Sequence, residues 1–247
     1  MNINIHISNP DEWKLAFPPA GGDKQWRDGF SAKEFAKIVT GWYADIDFEQ
    51  ELRNKLNKPK LVITKDKIYP ERLSKFDNDW HGPRHHDLAC CALDDGNPVA
   101  LCFEAKVYES LDLKLEKYRN SKGKIARCNK LCERFFGHKY DDNEQLYKGI
   151  YYQILSSIAG TVAFARENGI EEAIFILYQI LPKNRKENTN NKLAHIDAVN
   201  AFLKCMGIEK EIKQSGDIVN LGQMSIERDN MSANVSIAYI EQIVFGN

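Results

Sequence analysis

Hydrophobic positions along this chain change period several times, and each change predicts an element. Phe35, Ala36, Val39 and Trp42 recur at helical spacing inside a largely helical stretch over 26–57. Ser31 predicts an N-cap for a helix starting at Ala32, with Glu34 completing a capping box. A second helix is expected over 48–56, then a short strand at 61–63 and a polar, irregular segment over 68–83. Two apolar runs follow, joined by the turn Asp94-Asp95-Gly96-Asn97, and predict a β-hairpin. Residues 111–136 predict a loop and a helix broken at Lys122-Gly123-Lys124.

The strongest helical stripe is Leu146, Ile150, Ile154, Ile158 and Val162, over 144–167, with Asn168-Gly169 as its stop. The nearly continuous apolar run over 173–180 is expected of a strand buried on both faces. A helix over 193–206 ended by Gly207, and strands over 218–224 and 235–245, complete the chain. This order implies an α/β fold, a mixed β-sheet flanked by α-helices. The expectation is a single domain over 1–247 with a helical N-terminal extension. Residues 183–191 are expected to form a polar loop.

Composition narrows the function classes. With 34 Lys and Arg against 35 Asp and Glu, the net charge is −1, so any attraction to nucleic acid must be local. No apolar stretch is long enough to span a bilayer, and the N-terminus lacks the pattern of a signal peptide, so a cytoplasmic location and no membrane partner are expected. Six cysteines then read as reduced thiols. Cys90, Cys91 and Cys102 fall in apolar strands. Cys128 and Cys132 share a helix face without the paired short spacings of a zinc site.

The candidate chemistry lies on the hairpin. Asp87 opens the first strand, and Glu104-Ala105-Lys106 closes the second. Alternation puts Glu104 and Lys106 on one face. A carboxylate and an ammonium at the end of an apolar strand are costly unless paired or used. They read either as an exposed pair on a strand end or, with Asp87, as a site for a hard divalent cation and an activated water. His81, His85 and His86 beside the acid invite a transition-metal reading, but adjacent histidines on an extended strand diverge. His81 and His86 read better as loop or substrate-facing groups. No Gly-x-Ser-x-Gly elbow and no Gly-rich phosphate loop is present, which argues against a serine hydrolase or nucleotide-triphosphate use. Lys114, Lys117, Arg119, Lys122, Lys124, Arg127, Lys130 and Arg134 crowd one segment. They read equally as phosphate contacts or as a solvated helix face.

The spacing Asp87…Glu104-x-Lys106, with the hairpin, helix and buried strand around it, resembles the PD-(D/E)xK nuclease superfamily of the restriction-endonuclease-like fold. In that fold the acid starts the second core strand and Glu-x-Lys ends the third. His86 stands where the superfamily name has proline. A wider resemblance is to a mostly bacterial family of unassigned activity built on this core. It is carried by Trp26-Arg27-Asp28-Gly29-Phe30-Ser31-Ala32, Pro70-Glu71, the run from Glu104 to Glu109, Ser121-Lys122-Gly123-Lys124 with Arg127, and Tyr152-Gln153-Ile154-Leu155. Arg84-His85-His86-Asp87 departs from it, since that family tends to a Ser-Gln-Asn-Asp-like run.

The resemblance implies an Mg²⁺- (or Mn²⁺-) dependent nuclease acting on DNA. Asp87 and Glu104 would be the metal ligands, with the Ala105 carbonyl and Glu71 as further contributors. Lys106 would orient or help deprotonate the attacking water, and Gln153 would reach the site from the long helix. Lys122, Lys124 and Arg127 would hold phosphates. A homodimer, the common arrangement where two strands are cut, is compatible, with no interface legible in the sequence. The alternatives are a non-catalytic nucleic-acid- or protein-binding module that kept the fold, and a structural partner in a larger defence or repair assembly.

Overall fold

A computed structural model describes residues 7–19, 22–78, 82–183 and 189–244, with backbone alone for 144 and 189–191. The polar loop expected over 183–191 therefore falls largely outside the described residues, as do His81 and Phe245. Six strands form one mixed sheet: β1 (Leu61–Ser74), β2 (Arg84–Asp94), β3 (Asn97–Lys106), β4 (Glu172–Pro182), β5 (Ile218–Ser225) and β6 (Ser232–Val244), in the order β1-β2-β3-β4-β6-β5. The first three form an antiparallel meander. β3 and β4 run parallel, as do β4 and β6, and β5 closes the far edge antiparallel to β6.

Helices cover both faces. On one side lie α1 (Pro10–Ala16), α2 (Ser31–Val39) and α3 (Phe48–Lys55), whose Phe35, Phe48 and Leu52 pack on Leu88, Leu101 and Ile176. On the other lie α4 (Leu115–Tyr118), α5 (Lys122–Phe136), α6 (Glu144–Tyr147), α7 (Tyr152–Glu167) and α8 (Thr189–Cys205). There Leu155, Ile158 and Val162 of α7 meet Ala89, Cys102 and Phe175. The β4 run divides as a doubly buried strand should: Ala173, Phe175 and Leu177 enter one core, and Ile174, Ile176 and Tyr178 the other. The parallel β3–β4 pair needs a crossover, and α7 lies within it. None of the described helices is long and apolar enough to cross a membrane.

The hairpin forms as expected. Asp95 and Gly96, both at positive φ (51° and 83°), make the two-residue turn that matches strand twist. Other expectations need correction. The irregular segment over 68–83 is strand as far as Ser74, because β1 continues past a register shift between Ile63 and Ile68. As an edge strand it tolerates the polar residues and Pro70 that disguised it. α2 starts at Ser31 itself, with Phe30 as its N-cap residue. The capping box does not form: Glu34 accepts from the Gly29 N–H at 2.8 Å, ahead of the N-cap, and the Ser31 N–H goes to Glu109. Trp42 lies beyond that helix and is exposed.

Lys122-Gly123-Lys124 opens α5 rather than breaking a helix, since Ser121 caps it by accepting from the Lys124 N–H. The long helix over 144–167 is two, divided at residues 148–151, where Gly149 takes φ 95°. Leu146 consequently leaves the stripe for solvent. All six cysteines are free thiols, and all but Cys205 are buried. Burial pushes the Cys102 and Cys128 thiols up to about 12 and raises the others as well. Cys128 and Cys132 are core residues of α5.

Candidate active site

At the carboxyl end of β3, where the strand emerges from between the two helical layers, a cleft of about 320 Å³ opens. Its wall brings together Asp87 and Arg84 of β2, Glu104 and Lys106 of β3, Glu71 of β1 and Gln153 of α7. Glu104 is the hub. At 5% exposure it is nearly dry, and three groups engage its carboxylate. Lys106 Nζ lies 2.7 Å from Oε1, Gln153 Nε2 donates to Oε1 at 2.5 Å, and Arg84 Nη2 pairs with Oε2. Gln153 in turn accepts from the Asp112 N–H at 3.0 Å, so it binds both backbone and site. Asp87 accepts from the Ala105 N–H at 2.6 Å, tying the two strands at the motif.

Burial sets the protonation biases. It pushes the Asp87 carboxyl above its ordinary value, against the Lys106 charge and the Ala105 N–H. It pushes the Lys106 ammonium down, against the Asp87 charge, which favours a lysine able to give and take a proton. Glu71 is raised as well. Burial, then the Asp87 charge, lifts it to about 9, which favours its neutral form at neutral pH. It sits in a strand at φ 50°, an unfavourable conformation for a residue with a side chain, with His85 Nδ1 3.1 Å from its carboxyl.

Behind the strand end lies a second polar layer that sequence reasoning did not connect to the site. The Glu109 carboxyl accepts from the N–H groups of Ser31, Val107 and Tyr108 at 2.8–3.1 Å. Burial opposes its ionisation, but these donors hold its pKa below the ordinary value. Ser31 belongs to α2, so this carboxylate pins the N-terminal helices to the end of β3. Gln179 of β4 donates to the Lys106 and Val107 carbonyls and accepts from His195 Nδ1 at 2.7 Å. Burial and the Lys106 charge push that imidazole down to about 4. Its Nε2 faces the Glu109 carbonyl at 3.1 Å.

Each residue expected at the site can now be placed. Asp87, Glu104, Lys106, Gln153 and Glu71 converge on the cleft, and His85 joins them. His86 does not face substrate or belong to a loop: it is a strand residue with no exposed surface, packed against Gly160 of α7. Arg127 is buried too. Its Nε lies 2.7 Å from Asp77, its Nη2 donates to the Gly82 carbonyl, and its guanidinium covers Phe76. Lys122 is exposed, and Lys124 Nζ lies 4.7 Å above Tyr118, which stacks on Tyr152 beside Gln153. Neither lysine lines the cleft.

A larger cleft of about 480 Å³ between α2, α3 and β1 is mostly apolar. Its acids are already engaged, Asp47 in capping α3 and Glu49 with Arg53 and the Ile63 N–H.

The sequence over residues 6–241 matches the family described as Domain of unknown function (DUF6946). The chain belongs to this family. Neither a curated protein nor a solved structure matches it. The family description assigns no activity, so the chemistry has to come from the cleft. Among the described residues no group of three or more His, Cys, Asp or Glu is arranged to hold a metal ion. Glu104 is instead engaged by cations, and Asp87 by a backbone N–H. The donor chemistry nevertheless fits a hard cation. Mg²⁺ keeps several waters and needs only one or two carboxylates, and two face the cleft with Glu71 as a third.

Proposed function

We propose that this chain is a metal-dependent nuclease that hydrolyses phosphodiester bonds in DNA, built on a restriction-endonuclease-like core and working in the cytoplasm. The observation that carries the reading is the convergence of Asp87, Glu104 and Lys106 on one cleft, with Gln153 hydrogen-bonded to Glu104. The topology around them supports it. An antiparallel β1-β2-β3 meander, an acid near the start of β2, Glu-x-Lys at the end of β3, and α7 leading to a parallel β4 follow the order that the superfamily resemblance implies.

Asp87 and Glu104 would hold Mg²⁺ or Mn²⁺, with the Ala105 carbonyl and Glu71 as additional oxygens. A divalent cation there supplies charge neutralisation at the phosphate and acidifies water. Lys106, biased toward its neutral form, orients the attacking water and takes its proton, or as an ammonium stabilises charge on the phosphate. Gln153 fixes the Glu104 rotamer by bridging it to the Asp112 N–H. Glu109, Gln179 and His195 hold the backbone from which Lys106 projects. Lys122 and Lys124 would add phosphate contacts at the edge of α5, each strengthening binding in a salt-dependent way.

Plasmid cleavage by the purified protein with Mg²⁺ or Mn²⁺ tests this. Nicking or degradation is expected, and Lys106→Ala should reduce it by at least about 10²-fold with an unchanged circular dichroism spectrum. Undiminished cleavage by Glu104→Ala would exclude the site.

A further inference from the structure

Among the described residues, Arg84 is the one Arg or Lys in the cleft that the motif does not account for. Its guanidinium engages Glu104 through Nη2, while Nε, buried, has no hydrogen-bond partner among the described residues. The stem is fixed: it packs against Gly160 so closely that a Cβ there would lie 2.8 Å from its Cβ and Cγ. A planar fork on a fixed stem, with donors to spare, is suited to a second, bidentate acceptor such as a phosphate. Glu104 cannot offer the same oxygen to Arg84 and to a metal ion at full strength.

The geometry points to Arg84 as a clasp that holds Glu104 in the absence of substrate and transfers to a phosphodiester oxygen of bound DNA, so that metal and DNA bind cooperatively through it. This rests on the nuclease reading above. Because coupling between two ligands is reciprocal, DNA raises the affinity for metal by the factor by which metal raises the affinity for DNA.

The test is Mn²⁺ binding to the full chain, read from the paramagnetic resonance of the free ion, with and without a phosphorothioate-linked DNA duplex that resists cleavage. Wild type is expected to gain roughly 5–150-fold in Mn²⁺ affinity when the duplex is present. Arg84→Gln is expected to bind Mn²⁺ more tightly than wild type without DNA, and to lose most of the gain with it. Arg84→Lys keeps a charge but loses the fork, and should fall between the two.

A wild-type ratio of one overturns the clasp whatever the variants do. So does an Arg84→Gln protein that is folded and binds Mn²⁺ alone no better than wild type, because coupling would then come from metal–phosphate contact without Arg84. In both cases binding of Mn²⁺ and DNA by the wild type leaves the nuclease reading standing. Failure of the wild type to bind either overturns both.

Discussion

Gly160 stands in the middle of a helix, where alanine would ordinarily be the better residue by about 1 kcal/mol. The structure reverses that expectation. A Cβ at this position would meet His86 Nε2 at 2.6 Å and the Cβ and Cγ of Arg84 at 2.8 Å. Carbon atoms at rest sit about 3.5–4.0 Å apart, so the overlap approaches an ångström. The imidazole tip can turn aside. The Cβ of Arg84 can move only with its strand, so α7 and β2 must separate locally. Overpacking of this kind costs about 1–3 kcal/mol, and the helix gain offsets about one of them.

Gly160→Ala should therefore destabilise the protein by up to about 2 kcal/mol, lowering its midpoint by about 2–4 °C per kcal/mol for a chain of this length. Urea unfolding followed by circular dichroism reads the change directly. A variant stabilised by about 1 kcal/mol would refute the reasoning, because it would mean that α7 does not approach the site strand this closely.

Two further outcomes follow from the same structure. Arg127→Ala removes one partner of a buried ion pair, so it should cost about 3–5 kcal/mol in chemical denaturation. A loss below about 1 kcal/mol together with weakened DNA binding would instead make Arg127 a phosphate contact. For Glu71, burial raises the folded pKa to about 9 from an ordinary 4.5, so the native state holds the extra proton between those values. Stability then falls as pH rises through that window, by at most about 1.4 kcal/mol per pH unit. Glu71→Gln should flatten the pH dependence and stabilise the protein at mildly alkaline pH, and an unchanged slope would show that the carboxyl ionises freely.

What the sequence made legible was the part built from repeated local signals. The hairpin turn at Asp95-Gly96, the doubly buried β4 and the cleft position of Asp87, Glu104 and Lys106 all rest on alternation, a turn that needs positive φ, or an apolar run. What escaped is of two kinds. β1 beyond Ile63 is an edge strand with a register shift, so it carries neither a clean alternation nor an apolar face. Arg84, Glu109, Gln179 and His195 are joined only by tertiary folding, from three elements and a loop spread over more than a hundred residues. Glu109 stood inside the resembling run without a role, and only the backbone N–H groups around it supply one. For Arg127 the position in a basic segment suggested a phosphate contact, whereas the structure buries it against Asp77 and Phe76.

The thiols of the core have a use as clocks. Cys90, Cys91 and Cys102 lie in the central strands, and Cys128 and Cys132 in α5. Each is shielded from solvent and biased against the reactive thiolate, so a thiol reagent can reach it only when its own part of the molecule opens. Because the two groups sit in different elements, the rates at which they are modified separate breathing of the helical layer from rupture of the sheet. The half-exposed Cys205 serves as the fast reference in the same reaction.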